Sequence, residues 1–336
     1  MSRLEVKGLH LSLREGNGFS PFVEDVNFTV EKGKTVALVG ESGCGKSITC
    51  LSILQLLDPE SIRIDRGSIL FEGKDLLTLS QNELRQIRGN AIGMVFQDPL
   101  TSLNPVFSIG SQLVEAVQNH HSVSYAQAKE KAIQMLECVR VSRPDIRFTE
   151  YPYQLSGGMR QRVMIAMALV NNPKLIIADE PTTALDVTVQ SQIIQLLRDM
   201  QKEFNMAILL VTHDLGVVAE VADRVCVMYA GKIVEQAKVD EIYYRPAQPY
   251  TIGLLQSIPR VDQHQGKRLN AIQGQPPSLI NLPKGCAFLD RCDFSKHVSG
   301  NLCAELAPKL EEKADNHYAR CHLPAAKIEE LAKVAK

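Results

Sequence analysis

The sequence lacks several features that would direct its reading elsewhere. No apolar run in its 336 residues approaches the roughly 18 to 20 needed to span a bilayer. The N-terminus, Met1-Ser2-Arg3-Leu4-Glu5, carries no apolar stretch and no cleavage site, so a secreted chain is not expected. Neither charge is in excess: 37 Lys and Arg stand against 38 Asp and Glu, a net charge of −1. Dedicated nucleic-acid binders carry a basic surplus, so no nucleic-acid partner is expected, while a local basic patch is compatible with the balance. Internal repeats and low-complexity segments are absent. The eight cysteines are then read as residents of a reducing compartment, where structural disulfides are rare. That leaves them as core residues, metal ligands or catalytic groups.

What is present is an ordinary globular composition, 45% hydrophobic and 22% charged. The length suits about two domains. Residues 4 to 12 and 26 to 30 alternate as short strands, with Gly16, Asn17 and Gly18 marking the loop between them. Thr35-Val36-Ala37-Leu38-Val39 reads as a buried strand, and a helix is expected from Lys46 to about Leu57, stopped by Pro59. From about Pro99 to Gln154 the pattern turns helical. Ile109, Leu113 and Val117 recur at intervals of four, and Ala128, Ala132, Met135, Leu136 and Val139 form a second stripe. Ser124 with Gln127, and Ser80 with Glu83, have the spacing of capping boxes. Leu175-Ile176-Ile177-Ala178 and Ile208-Leu209-Leu210-Val211-Thr212 are apolar runs typical of buried parallel strands. After about Tyr244, Pro246, Pro249, Pro259, Pro276, Pro277 and Pro283 break up any long element, and four cysteines follow. The expected fold class is α/β, with a β-rich N-terminal part, a helical insertion and a small Cys-rich C-terminal domain too poor in apolar residues to fold comfortably without help.

Gly40-Glu41-Ser42-Gly43-Cys44-Gly45-Lys46-Ser47 matches G-x-x-x-x-G-K-S between a predicted strand and a predicted helix, the context of a P-loop. Glycines let backbone N–H groups curl around phosphates, and the helix N-terminus adds partial positive charge. Lys46 is expected to reach the β- and γ-phosphates of ATP, and the Ser47 hydroxyl to ligate Mg²⁺. The strand at Leu175 ends in Asp179 and Glu180. Asp179 would hold Mg²⁺, directly or through water, and Glu180 would take a proton from the attacking water. Cys44, inside the loop, is not a nucleophile here; its closeness to the phosphates predicts that thiol reagents inhibit and ATP protects.

Leu155-Ser156-Gly157-Gly158-Met159-Arg160-Gln161-Arg162 resembles the signature motif of ABC-transporter ATPases, with Met159 where Gln is commoner. Gln97 resembles the Q-loop glutamine, Ala184-Leu185-Asp186 the D-loop and His213 the switch histidine, all in the family's order over roughly residues 4 to 240. The resemblance implies a P-loop ABC ATPase domain over 1–244, with its helical subdomain at about 99–162, and a C-terminal regulatory or metal-binding domain over 245–336. It implies that two such subunits pack head to tail, each ATP lying between one P-loop and the other subunit's Ser156, Gly157 and Gly158. ATP would close the pair and hydrolysis reopen it. Gln97 would join Ser47 and Asp179 at Mg²⁺ and link chemistry to the helical insertion, where this family meets its permeases. Phe19 is the preferred adenine platform, Phe22 the next; a loop aromatic packed on the sheet is the plainer alternative.

Phe96-Gln97-Asp98-Pro99-Leu100-Thr101-Ser102-Leu103-Asn104-Pro105 resembles the extended Q-loop of the peptide-importer branch. Tyr244-Arg245-Pro246-Ala247-Gln248-Pro249-Tyr250-Thr251, Gly274-Gln275-Pro276-Pro277 and Gly285-Cys286-Ala287-Phe288 continue the likeness almost to the end of the chain. Only the last dozen residues, a Lys- and Glu-rich helix, fall outside it. The chain so resembles the D-type ATPase of a dipeptide or oligopeptide importer. That implies a second, F-type ATPase as heterodimer partner, two transmembrane permeases, an external binding protein, and a peripheral location on the cytoplasmic face of the cell membrane. Nickel, glutathione and antimicrobial-peptide uptake remain alternatives. A soluble ABC ATPase of translation or DNA repair is disfavoured, since no second cassette or long coiled coil is present. An inactive subunit is disfavoured because Lys46, Asp179, Glu180, Ser156 and His213 are intact.

Cys286, Cys292, Cys303 and Cys321 read C-x5-C-x10-C-x17-C, without a C-x-x-C. Spacing alone favours zinc over iron–sulfur, since four thiolates suit either, and His297, His317 or His322 could replace a cysteine. The resemblance to the D-type subunits implies instead a [4Fe–4S] cluster, with zinc the runner-up and free thiols third. Cys50, Cys138 and Cys226 read as small buried hydrophobes.

Overall fold

The structure is a computed structural model that describes residues 2–183, 185–258, 272–280 and 282–334. Three residues named above, Met1, Ala184 of the D-loop motif and Pro259, lie outside the described residues. The chain forms two compact units interleaved in sequence: Met1–Leu4, Val30–Thr35 and Leu70–Val211 make one, and Glu5–Thr29, Val36–Ile69 and Thr212–Lys336 the other.

In the first unit Leu175–Asp179 pairs in parallel with Ile92–Val95 on one side and with the strand starting at Ala207 on the other, Ile177 lying opposite Met94 and Leu209. Every residue of Leu175–Asp179 is buried. A central parallel strand has both faces covered, so an unbroken apolar run suits it and alternation does not. The predicted insertion is helical: Ile109–Gln118, Tyr125–Cys138, Pro144–Thr149 and Gly157–Leu169. Leu113, Val117, Ala128, Ala132 and Leu136 form the buried stripes. Both predicted capping boxes are made, at Ser80–Glu83 and Ser124–Gln127.

In the second unit the antiparallel strands are longer than their clearest patterning. Ser2–Glu15 and Gly18–Glu31 turn at Gly16, and alternate burial continues through Leu11 and from Phe22 onward. The P-loop strand Thr35–Val39 is buried throughout and pairs in parallel with Arg224–Tyr229. Its helix runs Lys46–Ile53, shorter than expected. Pro59 is not the stop. Gln55 turns left-handed at φ 49°, the Leu56 N–H donates to the Leu51 carbonyl at 2.9 Å and the Gln55 N–H to that of Ser52 at 3.0 Å, a Schellman end.

The cysteine-bearing region contributes to the same sheet as the P-loop strand. Lys232–Lys238 pairs with Arg224–Tyr229, His317–Ala319 pairs with Lys232–Lys238, and Glu311–Ala314 is the edge, all antiparallel. Val39, Val227, Tyr229, Tyr250 and Phe288 share one buried core. The predicted last helix spans Ala325–Val334, with Ile328 packed beside Ile252 and Leu323. No helix among the described residues is long and apolar enough to cross a membrane.

Candidate nucleotide site

The P-loop leaves the end of Thr35–Val39 through Gly40, whose φ is 152° and where a Cβ would lie 2.2 Å from the Met228 carbonyl oxygen. Only glycine passes there. Gly45, at φ 107°, is the N-cap of Lys46–Ile53 and supplies no side-chain cap. The helix N-terminus, with its partial positive charge, therefore begins directly at the loop. Lys46 is buried; its Nζ donates to the carbonyls of Gly40 and Glu41, each at 2.9 Å, and lies 3.8 Å from Cys44 Sγ. Ser47 sits half-buried in the first helical turn, while Ser42 and Gly43 are exposed at the loop's tip. Cys44 is only 6% exposed. Burial pushes its thiol up, with Lys46 pulling weakly the other way. The Cys44 thiol is thus covered within the loop where it was expected to stand.

Glu41 has partners that the sequence did not reveal. Arg291 grips its carboxylate with both terminal nitrogens, at 2.7 and 2.9 Å, and its backbone N–H donates to the Tyr250 hydroxyl at 2.8 Å. These residues are more than two hundred positions from Glu41, and no local pattern links them. Of the two aromatics weighed for adenine, Phe22 is in the core at 2% exposure, so it has no face to offer a base. Phe19 is half-buried, with the Arg63 guanidinium 4.5 Å from its ring centroid. His213 follows the strand Ala207–Thr212 and is exposed.

The other compact unit holds the remaining predicted residues. Asp179 ends its strand at 6% exposure. Glu180 follows in a left-handed conformation, φ 47°, uncommon for a side-chain-bearing residue and typical of functional turns. Its N–H donates to the Val211 carbonyl at 2.9 Å. Its Oε2 accepts from Gln97 Nε2 at 3.0 Å and from Thr183 Oγ1 at 2.9 Å. Thr183 was not anticipated; in sequence it is one more hydroxyl in a loop. Ser156 caps Gly157–Leu169, its Oγ accepting from the Met159 N–H at 3.4 Å. Gly157 is exposed, while a Cβ on Gly158 would come within 2.9 Å of Val189 Cγ1. Gln161, buried, donates to the Pro181 carbonyl at 2.6 Å and so ties the signature helix to the turn after Glu180. Asp186 caps Val187–Phe204 by accepting from the Val189 N–H at 3.0 Å.

Cys286, Cys292, Cys303 and Cys321 line one pocket, together with Phe288, Leu289, Phe294 and Leu323. The Cys286 N–H donates to the Cys303 carbonyl at 2.7 Å. Burial pushes all four thiols up, Cys292 to about 12 and Cys321 to about 11. Four sulfurs round one pocket are the right donor chemistry for a soft metal centre. Among the described residues, however, no group of three or more His, Cys, Asp or Glu is drawn together as metal ligands. Of the histidine substitutes, His317 is already committed: it is buried against Glu235 at 2.6 Å. His322 lines the pocket and contacts the Leu306 carbonyl at 2.8 Å. Cys50 and Cys226 are buried, as expected of packing residues, whereas Cys138 is only half-buried.

A glycine-rich loop between a parallel strand and a helix, together with a signature helix and a strand ending in Asp-Glu, defines an ATPase cassette of the ABC type. Residues 23–183 match the ABC transporter family, and residues 234–298 match the oligopeptide/dipeptide transporter C-terminal region. The chain is 49% identical to the oligopeptide transport ATP-binding protein OppD of Bacillus subtilis, over 97% of this chain and 91% of that one. It is 47% identical to the dipeptide transport ATP-binding protein DppD of the same organism, over 97% of this chain and 96% of the other. Among solved structures, a dimeric bacterial ABC transporter cassette superposes with a TM-score of 0.63 at 28% identity, covering 70% of this chain and 98% of that one. The same cassette, in a post-hydrolysis state bound to ADP and Pi, matches equally, with a TM-score of 0.63, 28% identity and the same coverage, 70% and 98%. The chain belongs to the oligopeptide/dipeptide family of ABC transporter ATP-binding subunits, and it is an ATPase.

Proposed function

We propose that this chain is the ATP-hydrolysing subunit of an importer that drives di- or oligopeptides across the cytoplasmic membrane. The observation that carries the reading is near-full-length similarity, through both the cassette and the C-terminal region, to subunits named for oligopeptide and dipeptide transport. In this reading residues 1–244 do the ATP chemistry, with a helical subdomain at about 99–162, and residues 245–336 regulate it.

The P-loop, Gly40 to Ser47, cradles the phosphates, with Lys46 turned to their charge and Phe19 under the adenine. Ser47, Asp179 and Gln97 would hold Mg²⁺, which neutralises phosphate charge. Glu180 accepts a proton from the attacking water, worth roughly 10²–10⁴-fold. Its left-handed backbone and its bond to Gln97 support that role, because they fix where the carboxylate points. His213 senses the γ-phosphate. Ser156, Gly157, Gly158 and Asp186 serve the ATP of a head-to-tail partner, an F-type subunit. A ligand that bridges two subunits and is then cut biases a two-state element.

The helical insertion leaves Leu100, Val106, Phe107, Ile146 and Tyr153 exposed. Such apolar exposure supports docking on the cytoplasmic helices of two permeases, which would hold the subunit at the membrane's inner face. An external binding protein would deliver the cargo. Cys286, Cys292, Cys303 and Cys321 would bind a [4Fe–4S] cluster or, failing that, zinc; their shared pocket supports a common centre. Such a centre would lend folding energy to a proline-broken region.

The test of transport is reconstitution with the partner ATPase, both permeases and the binding protein in vesicles. ATP-dependent peptide accumulation is expected; ATP hydrolysis without peptide accumulation would overturn the cargo assignment. Iron, zinc and acid-labile sulfide on anaerobically purified protein test the cysteines. About four irons and four sulfides per chain support the cluster. One zinc without sulfide would make the centre a structural zinc site.

A further inference from the structure

Phosphate binding gives no reason for the carboxylate at Glu41 to be held as firmly as it is. The cradle needs backbone amides, a lysine and a hydroxyl; the side chain at this variable position of the motif is left free by the chemistry. Yet Glu41 is held through both its side chain and its backbone. Arg291 engages it as a fork, Nη1 to Oε2 at 2.7 Å and Nη2 to Oε1 at 2.9 Å, and the Arg291 side chain is only 4% exposed. A bidentate, charge-assisted pair fixes direction as well as distance. The backbone of the same residue is held too, since its N–H donates to Tyr250 Oη at 2.8 Å. Tyr250 is fully buried, its ring centroid 4.5 Å from that of Tyr229 and 5.4 Å from that of Phe288.

Arg291 reaches further than Glu41. Its Nε donates to the Gln273 carbonyl at 3.0 Å and its Nη1 to the Tyr229 hydroxyl at 3.3 Å. The segment following Gln273 contributes Pro276, Pro277 and Leu279 to a cavity also lined by Ser42, Gly43 and Cys44 of the P-loop. Arg291 itself lies in the short turn Leu289–Arg291, between Cys286 and Cys292, and the Cys292 N–H closes that turn on the Leu289 carbonyl at 3.1 Å. One buried side chain therefore connects the cysteine loop, the 273–279 segment and the phosphate loop.

We infer that Arg291 and Tyr250 are positioning residues for nucleotide binding: they hold the P-loop at Glu41 in its phosphate-receiving form. The C-terminal region thereby sets the affinity of this subunit for ATP. A rearrangement of the cysteine loop reaches the phosphates through the Arg291–Glu41 pair. The inference rests on the reading that ATP binds at this P-loop, and it deepens that reading by assigning the regulation of the site to specific contacts.

The experiment uses the full chain and compares Arg291→Gln, Arg291→Lys, Tyr250→Phe, Glu41→Gln and the double variant Glu41→Gln/Arg291→Gln. ATP affinity is measured by titration calorimetry, KM and kcat by steady-state hydrolysis, thermal midpoint by calorimetry, and amide exchange across residues 40–47 by mass spectrometry. Arg291→Gln is expected to weaken ATP binding about tenfold, the scale of one charge-assisted interaction, with KM rising and kcat nearly unchanged. Exchange in the P-loop should rise with it. Arg291→Lys should recover only part of the loss, because an ammonium cannot make the fork. Tyr250→Phe keeps the ring packing and should weaken binding by a smaller factor. The double variant should bind ATP no worse than Arg291→Gln alone, since both act through one contact.

Unchanged ATP affinity and P-loop exchange in Arg291→Gln, with only a lower thermal midpoint, would overturn the inference and reduce the pair to a strut. Additive losses in the double variant would overturn it as well. A wild-type chain that bound no ATP would sink the nucleotide-site reading instead, which is a separate outcome.

Discussion

The amide of Gln97 donates to the carboxylate of Glu180 at 3.0 Å, across 83 positions of sequence. Thr183 donates to the same oxygen from the far side of the turn, at 2.9 Å. A carboxylate that accepts two hydrogen bonds on one oxygen, on a backbone at φ 47°, has little freedom to wander. Glu180→Gln is therefore expected to lower ATP hydrolysis by roughly 10²–10⁴-fold. ATP binding should survive, so that nucleotide is trapped on the subunit. Single-turnover hydrolysis with bound-nucleotide analysis checks this, and normal turnover in that variant would remove Glu180 from its role.

Phe19 is expected to carry the adenine. Stacking of a base on an aromatic ring contributes about 1–3 kcal/mol. Phe19→Ala should then weaken ATP binding by about 5- to 140-fold. Arg63, whose guanidinium lies over the same ring, serves as a control: Arg63→Ala should cost less, because the ring remains. Equal affinity for ATP and inorganic triphosphate in the wild type would contradict the platform.

Gly158 is set by packing as well as by the phosphate contact proposed for it. Alanine there gains up to about 1 kcal/mol of helix propensity, but overpacking costs about 1–3 kcal/mol. The new Cβ would meet the stiff, β-branched Val189 at 2.9 Å. Gly158→Ala should therefore destabilise the fold by about 1 kcal/mol. In a Val189→Ala background the same change should become neutral or stabilising. Urea unfolding of the four proteins reads the sign.

The Glu235–His317 pair, which joins two neighbouring strands next to the sheet edge, is expected to matter to stability. Both groups are nearly inaccessible, at 2.6 Å, and Oε1 of Glu235 also accepts the Ala247 N–H at 2.6 Å. Removing one partner of a buried hydrogen bond costs about 1–3 kcal/mol, since the other loses that contact without regaining water. His317→Phe should fall in that range by urea unfolding. Glu235→Gln keeps an acceptor for Ala247 and should cost less.

Cys44 should react slowly. Burial holds its thiol above the ordinary range, so little thiolate forms near neutral pH. Its raised native value also means that whatever it contributes to stability is present below the ordinary thiol range and is lost as pH climbs through the native value. Iodoacetamide labelling followed by peptide mass spectrometry should mark Cys44 rapidly in urea and slowly in the native protein. Fast native labelling at pH 7 would show that the P-loop opens.

The local features were legible because they are local. A parallel strand buried on both faces writes an apolar run, as Leu175–Asp179 does. Capping boxes write themselves at a spacing of three, and both formed. The P-loop and the signature string are contiguous, so their strand–loop–helix context could be read from neighbours alone. The end of the Lys46–Ile53 helix was read less well. A Schellman cap with Gln55 left-handed leaves no glycine or proline at the stop.

By itself the sequence determined the cassette, its nucleotide chemistry and the family, since these reside in short strings whose backbone geometry is dictated by glycine, capping side chains and strand burial. Tertiary structure alone decided which side chains meet across the chain. It buried Phe22 and left Phe19 half-open, committed His317 to Glu235, put four cysteines round one pocket, and set Arg291 against Glu41. None of those pairings has a period or a spacing. They follow from how a sheet and its neighbouring loops close over a shared core, which brings distant residues within hydrogen-bond reach only once the fold is made.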